Sequence, residues 1–179
     1  MGPSIKLRNL ILYILSHQDY QEGGVKKLNK LLYFVDFYFY RDHEQLISDA
    51  KYAKAPMGPV VDSYQDVFAT LVADGDLTLT EDFSTKVYKP LRQAELEKFT
   101  SEQVDHISKV LDRYGKLSGR DLEWISHQQQ PWVLTENFGD IIDPDLALLI
   151  DDEVSDSETS FVKNEDLKNE LQDLANQAE

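Results

Sequence analysis

Apolar residues recur at helical spacing in the first quarter of the chain and predict two helices. In residues 5–18 they fall every three or four positions, which marks one core-facing stripe. In residues 25–41 apolar and aromatic side chains cover most of the helical circumference, so the second helix is expected to lie at the centre of the fold. Its main apolar positions are Val25, Leu28, Leu31, Leu32, Val35, Tyr38 and Phe39.

A turn rich in proline and glycine breaks the middle of the chain. Pro56 and Pro59 fix their φ angles, and Gly58 reaches backbone conformations that other residues avoid. A rigid turn is therefore expected there. Helical spacing resumes at Val60 and predicts a third helix that ends before Asp74.

Strands and capped helices are predicted in the following part of the chain. Residues 77–80 and 85–88 alternate between apolar and polar about a short polar turn, which predicts a small β-hairpin. Thr100 and Gln103 can form a capping box at the start of the next helix. The remaining helices are predicted at residues 100–114, 118–127 and 143–150.

These elements predict a mainly α fold, with a single helical domain at residues 1–150 that contains the small β-hairpin. Residues 151–179 are expected to form an acidic C-terminal tail, in which ten carboxylates accompany only two lysines. Asn164 and a narrow leucine stripe predict a short amphipathic helix within the tail, and so short a helix is marginal alone in water. The stripe consists of Leu167, Leu171 and Leu174.

Charge and cysteine content restrict the partner class and the compartment. The formal net charge is −15, whereas nucleic-acid binding depends on neutralising phosphates, so we do not expect nucleic acid as a partner. The absence of cysteine excludes disulfides, thiolate metal sites and a cysteine nucleophile. Charged and polar residues interrupt residues 5–18, unlike a signal peptide or a membrane span. We expect a soluble, cytoplasmic protein with no membrane partner.

No arrangement of residues in the sequence points to catalysis. The four histidines are dispersed, and none forms the i, i+4 pair of a helical zinc site. The glycines lack the context of a phosphate-binding loop, and no serine lies in a nucleophile elbow. We therefore expect no enzyme activity and no catalytic, cofactor-binding or metal-binding residue. A cryptic hydrolase is disfavoured on the same grounds.

Basic residues on the second helix are the first candidate partner-binding feature. Lys26, Lys27 and Lys30 form a basic edge beside the aromatic run of this helix. One interpretation is a solvated face of a buried helix. The other is a contact site for an acidic partner.

Two rigid turns are the second candidate feature. A rigid turn loses little conformational entropy when a partner binds, so side chains beside it are suited to contacts. The alternative interpretation is structural, with a tight bend and a buried tryptophan. The residues are Lys54, Pro56, Gly58 and Pro59 in the first turn, and His127, Pro131 and Trp132 in the second.

Three motifs carry a resemblance to a known family. They are Leu28-Asn-Lys30-Leu-Leu-Tyr33, then Gly58-Pro59-Val60-Val61 with Tyr64, and finally Leu117-Ser118 with Leu122, Ile125 and His127-x-x-x-Pro131-Trp132. In order and separation the chain resembles the Panacea family, also described as SocA-like antitoxins and phage-associated GepA proteins. The resemblance covers roughly residues 5–150 and leaves residues 151–179 outside it.

The resemblance implies a mostly helical domain with a small β element, encoded beside a toxin and inhibiting it by complex formation. We therefore expect the antitoxin of a type II toxin–antitoxin system, with a cognate protein toxin as partner and added contacts from the acidic tail. The resemblance also implies that such an antitoxin can deliver its toxin to a protease. The alternative is thus a phage or host regulatory adaptor that brings a partner to an AAA+ protease or another effector. The sequence leaves open the identity of the toxin and the formation of a homo-oligomer.

Overall fold

In this computed structural model, residues 2–20, 23–82 and 85–151 are described. The α-helices of this part are α1 (Ile5–Ser16), α2 (Val25–His43), α3 (Tyr64–Ala73), α4 (Ser101–Tyr114), α5 (Gly119–Gln128) and α6 (Gln130–Leu134). The strands are β1 (Tyr52–Ala53), β2 (Val60–Val61), β3 (Leu77–Asp82) and β4 (Thr85–Pro90). Two 3-10 helices span Leu96–Lys98 and Pro144–Leu149. The prediction of a mainly α fold with a small β element is confirmed.

Helix α2 lies at the centre of the fold, as its apolar circumference predicted. Every residue from Lys27 to Phe39 is buried. Helices α1, α4 and α5 and the second 3-10 helix all pack against it. The ring of Phe34 stacks on Tyr114 of α4 with centroids 5.0 Å apart, and the Tyr38 hydroxyl lies 3.0 Å from that of Tyr114. Burial of these rings contributes much of the hydrophobic stabilisation of the core.

A fully buried carboxylate on α2 fixes the segment that leads to the first turn. Asp36 Oδ1 accepts hydrogen bonds from the backbone N–H groups of Ile47 at 2.8 Å and Ser48 at 2.9 Å. Its Oδ2 accepts from the hydroxyl of Tyr52 at 2.6 Å and from the hydroxyl of Ser48. Burial raises the pKa of Asp36, although these four hydrogen bonds oppose the shift. The network places β1 against the central helix.

The prediction that the third helix starts at Val60 is wrong. Val60 and Val61 form strand β2, which pairs antiparallel with β1. The Val61 N–H also donates to Asn29 Oδ1 on α2 at 2.9 Å, so the extended backbone is held from both sides. Helix α3 starts only at Tyr64, after Ser63 has taken a positive φ of 55°.

The predicted hairpin and helix caps are confirmed with small changes in length. Strands β3 and β4 pair antiparallel over their full lengths. Thr100 and Gln103 form the capping box at the start of α4, and Ser118 forms a second one with Asp121 at the start of α5. The last predicted helix, at residues 143–150, is a 3-10 helix rather than an α-helix.

The chain as far as Leu149 forms one compact unit, and the interactions described here lie within it. The short amphipathic helix predicted in the tail lies outside the described residues. Within those residues, no helix combines the length and apolarity that a membrane span requires.

The predicted division into a domain at residues 1–150 and a tail at residues 151–179 leads to a stability prediction. A chain truncated after Asp151 should keep its thermal midpoint within a few degrees of the full-length value, because the helices of the domain carry complete apolar stripes. Circular dichroism melting of both chains measures this difference. An insoluble or unfolded truncated chain would mean that the leucines of the tail complete the core.

Candidate functional site

The two turns singled out in the sequence lie against each other. The indole Nε1–H of Trp132 donates to the carbonyl oxygen of Ala55 at 3.1 Å. The ammonium of Lys54 lies 4.5 Å from the centroid of the Trp132 ring, and the His127 ring packs on that ring at 4.0 Å between centroids. We call this arrangement the turn cluster. It consists of Lys54, Pro56, Gly58, Pro59, His127, Pro131 and Trp132.

Lys54 is a half-buried part of the turn cluster rather than a free surface cation. Its Nζ donates to the carbonyl oxygen of Thr135 at 2.6 Å and lies 5.8 Å from the ring centroid of Phe138. Its backbone N–H donates to the carbonyl of Asp140 at 2.9 Å. Contact of an ammonium with aromatic faces stabilises by about 0.5–2 kcal/mol, depending on desolvation. Lys54 therefore joins both turns and the loop that follows α6.

Gly58 is required by the geometry of the first turn. Its φ is +89°, a conformation that side-chain-bearing residues rarely adopt. A Cβ at this position would lie 2.5 Å from Lys30 Cε and 2.5 Å from Ser126 Oγ. The turn backbone thus rests directly on α2 and α5. The next residue, Pro59, accepts a hydrogen bond from Lys30 Nζ at 2.9 Å through its carbonyl oxygen.

Pro131 lies within a short helix that the sequence analysis missed. Helix α5 ends where Gln129 takes an extended backbone (φ −84°, ψ 139°), and α6 begins at the next residue. Proline fits the first turn of a helix because its missing N–H would have no helical partner there. Helix α6 turns the chain so that Trp132 faces Lys54 and Ala55.

The predicted basic edge on α2 is not present as one exposed surface. Lys26 is half-exposed and forms an ion pair with Glu123 at 2.8 Å. Lys27 and Lys30 are buried. The Lys27 ammonium lies 5.0 Å from the Tyr20 ring centroid, and Lys30 lies beneath the first turn. This face of α2 is covered by tertiary packing, which helical periodicity alone does not reveal. A partner-binding role for these lysines stays a prediction.

Burial controls the electrostatics beneath the turn cluster. Burial lowers the pKa of Lys30 to about 7, partly opposed by Glu123 and reinforced by Lys26. The pKa of His127 is also lowered, mainly by burial. The Nε2 atom of this histidine is buried and has no hydrogen-bond partner among the described residues. Lys26 in turn holds the pKa of Glu123 below its usual value.

Replacing Lys30 with methionine should change how stability depends on pH. The folded pKa of Lys30 is about 7, against 10.5 for an unperturbed lysine. Between these values the unfolded chain binds more protons, so the lysine contribution makes the native protein more stable as pH rises. Methionine does not titrate, so the free energy of unfolding of Lys30→Met should fall relative to that of the wild type above neutral pH, by up to about 1.4 kcal/mol per pH unit. Urea unfolding of both proteins from neutral to alkaline pH measures it, and parallel profiles would contradict the prediction.

One group of described side chains has the composition of a metal site. Ligand atoms of His17, Asp19 and Asp112 lie within 4.8 Å of one another. The sequence analysis missed the group because Asp112 comes from α4, far along the chain from the other two. The Lys116 ammonium lies 2.8 Å from Asp19 Oδ1 and already supplies positive charge there. The group is separate from the turn cluster, and we assign it no metal.

The sequence analysis also missed an exposed apolar surface beside the turn cluster. It is formed by α6, by the loop after it and by the second 3-10 helix. We call it the C-terminal apolar surface, and it consists of Val133, Leu134, Phe138, Ile141, Leu148 and Leu149. The signal available in the sequence is the apolar content of residues 133–149, of which the sequence analysis covers only the helix predicted at residues 143–150.

Comparison with known proteins identifies the family of this chain. No curated protein and no solved structure matches it. A family model described as the antitoxin SocA-like, Panacea domain matches residues 28–133, which is more than half of the chain and includes the whole turn cluster and most of the central helix. The resemblance carried by the three sequence motifs is therefore confirmed, and the chain belongs to the family of SocA-like antitoxins with a Panacea domain.

Proposed function

We propose that this chain is the antitoxin of a type II toxin–antitoxin system and neutralises a cognate protein toxin in the cytoplasm by direct, non-catalytic binding. The observation that carries the proposal is the joining of two turns into one ordered cluster around Lys54 and Trp132, in a chain of an antitoxin family.

Order within the turn cluster supports a binding role. Side-chain hydrogen bonds from Lys30, Lys54 and Trp132 fix the turns to one another and to the helices beneath them. A surface that is already ordered loses less conformational entropy when it binds. Pro56 and Met57 are exposed at the tip of the first turn. Tryptophan and methionine are both enriched in protein interfaces.

The non-catalytic part of the proposal is supported by the condition of the histidine in the cluster. His127 packs against Trp132, and its Nε2 is buried without a hydrogen-bond partner in the described part of the chain. A general base needs a reachable proton and a positioned neighbour. Glu123, the acidic residue that most affects the His127 pKa, is paired with Lys26.

Co-expression with the product of the adjacent reading frame tests the proposal. We expect the frame alone to arrest growth, co-expression to restore growth, and the two proteins to co-purify. Restored growth without co-purification would contradict neutralisation by direct binding. Rescue that occurs only in cells with an active AAA+ protease would instead favour the adaptor function. A harmless adjacent frame with no effect on growth would contradict the antitoxin function.

Replacing His127 with glutamine should leave the mechanism of neutralisation unchanged. The variant loses the ring contact with Trp132, so we expect at most about a tenfold loss of affinity, with growth rescue falling in parallel. Isothermal titration against the co-purified partner, beside the growth assay, measures both quantities. A variant that binds with full affinity but no longer rescues growth would show that His127 acts in catalysis.

A further inference from the structure

The C-terminal apolar surface contains an unusual concentration of exposed apolar side chains. Its six members are between 46% and 61% exposed. They make up half of the twelve large apolar side chains that the described residues expose, although they fall within residues 133–149. Single exposed apolar residues are ordinary, whereas clustered ones mark sites of interaction. The clustering therefore indicates a binding surface.

The fold brings these side chains together from three adjoining segments. Helix α6, which carries Val133 and Leu134, packs against the second 3-10 helix, which carries Leu148 and Leu149. In the loop between them, the Phe138 ring lies 6.5 Å from the ring of Trp132. The C-terminal apolar surface is thus continuous with the turn cluster.

Negative charge predominates in the segments that form the C-terminal apolar surface. Residues 121–150 contain six carboxylates and no lysine or arginine. Four of these, Glu136, Asp140, Asp143 and Asp145, are exposed and lie in or beside the apolar segments. Two lysines come near this region. The ammonium of Lys54 is hydrogen-bonded to Thr135 and placed over aromatic rings. Lys51 is exposed immediately before β1, the strand that meets the loop at Ile142.

This charge acts on a neighbouring side chain of α2. The Tyr40 hydroxyl donates a hydrogen bond to the carboxylate of Asp145. That hydrogen bond is the main cause that raises the pKa of Tyr40 to about 12, and the charges of Glu44 and Asp143 act in the same direction. The negative charge of the exposed carboxylates thus extends from Asp145 in the second 3-10 helix to Glu44, which follows α2.

We infer that the C-terminal apolar surface binds a protein segment whose apolar side chains are flanked by lysine or arginine. The inference rests on the proposed function, because it names the chemistry that the toxin presents to this face. Apolar burial supplies affinity, and opposite charge at the edge supplies orientation and a fast association rate. A second copy of this chain is disfavoured as the occupant, because pairing through this surface would bring two acidic edges together.

Three synthetic helical peptides of roughly 18 residues, about five turns, test the inference on the full chain by fluorescence anisotropy. The first has a leucine face flanked by arginine, and the second has the same face flanked by glutamate. The third keeps the arginines and replaces the leucines with serine. We expect the leucine–arginine peptide to bind at least about tenfold more tightly than either of the others. It alone offers both apolar burial and opposite charge.

Variants locate the binding on the surface. Phe138→Ser should weaken the binding of the leucine–arginine peptide at least about tenfold. Leu91→Ser is the matched control, because Leu91 follows β4 and is 60% exposed against 61% for Phe138, and it should bind like the wild type. Glu136→Arg should weaken the binding of the leucine–arginine peptide and strengthen the binding of the leucine–glutamate peptide.

Several outcomes would overturn the inference. These are no binding of the leucine–arginine peptide, equal binding of the serine–arginine peptide, and no difference between Phe138→Ser and Leu91→Ser. Self-association that Phe138→Ser abolishes would show that a second copy covers the surface. Because the peptides are synthetic, their binding does not depend on the adjacent reading frame. Growth rescue without peptide binding would overturn only the inference about this surface. Peptide binding without growth rescue would overturn only the proposed antitoxin function.

Discussion

Replacing Asp36 with alanine is expected to lower the free energy of unfolding by about 3–4 kcal/mol. The carboxylate is fully buried and accepts four hydrogen bonds from Ile47, Ser48 and Tyr52. Its removal leaves four buried donors without acceptors, and a single unsatisfied buried donor costs about 1–3 kcal/mol. Relaxation of the surrounding backbone recovers part of the free-energy cost of the four unsatisfied donors. Urea unfolding followed by circular dichroism measures the change.

The variant Asp36→Asn is the matched control for this prediction. Its amide oxygen can still accept from the backbone N–H groups of Ile47 and Ser48, but its amide nitrogen cannot accept from the hydroxyl of Tyr52. We expect Asn to lose roughly half as much stability as Ala. Equal losses in the two variants would mean that the charge matters more than the hydrogen bonds. A loss below about 1 kcal/mol in Asp36→Ala would show that the segment is held without this network.

The helical part of the fold could be predicted because its signals are local. The apolar circumference of α2 predicted a central helix, and the capping box of Thr100 and Gln103 predicted the start of α4. Strand β2 could not be predicted in this way. Val60 and Val61 are extended because β1 and Asn29 supply hydrogen bonds from distant parts of the chain. Such pairing overrides the local spacing of apolar residues.

Each turn of the turn cluster could be predicted from the sequence, but the contact between the two turns could not. Lys54 and Trp132 each lie beside a proline-containing turn, which is a local signal, but their contact depends on the packing of α5 and α6. The sequence places Lys30 on a basic edge of α2, because helical periodicity gives the faces of a helix without showing which face is covered. The structure covers this lysine with Gly58 and Pro59.

The C-terminal apolar surface could not be predicted for a related reason. Residues 143–150 read as an ordinary helix of the domain. A 3-10 helix has three residues per turn, so its side chains fall in three rows and few of them can be buried at once. Ala147 faces the core, whereas Leu148 and Leu149 remain exposed.

Replacing Trp132 with alanine is expected to weaken the complex with the toxin by at least about thirtyfold, or about 2 kcal/mol. The substitution removes the ring beneath the Lys54 ammonium and the N–H that holds Ala55, so the two turns lose their direct connection. It also removes a half-buried side chain, and the free energy of unfolding should fall by about 2 kcal/mol. Titration calorimetry with the purified toxin and urea unfolding of the variant separate the two effects.

Two further variants assign the loss to a cause. Trp132→Phe keeps an aromatic face for Lys54 and His127 but removes the hydrogen bond to Ala55, so an intermediate loss of affinity is expected. Lys54→Met keeps the packing on the Trp132 ring and removes the ammonium that bonds Thr135, so an intermediate loss of affinity is expected from the weaker connection between the turns. Methionine is preferable to glutamate here, because a carboxylate would face the carbonyl of Thr135. If Trp132→Ala is folded and binds the toxin as the wild type does, the turn cluster is not the contact, and the acidic tail and the C-terminal apolar surface are the next places to test.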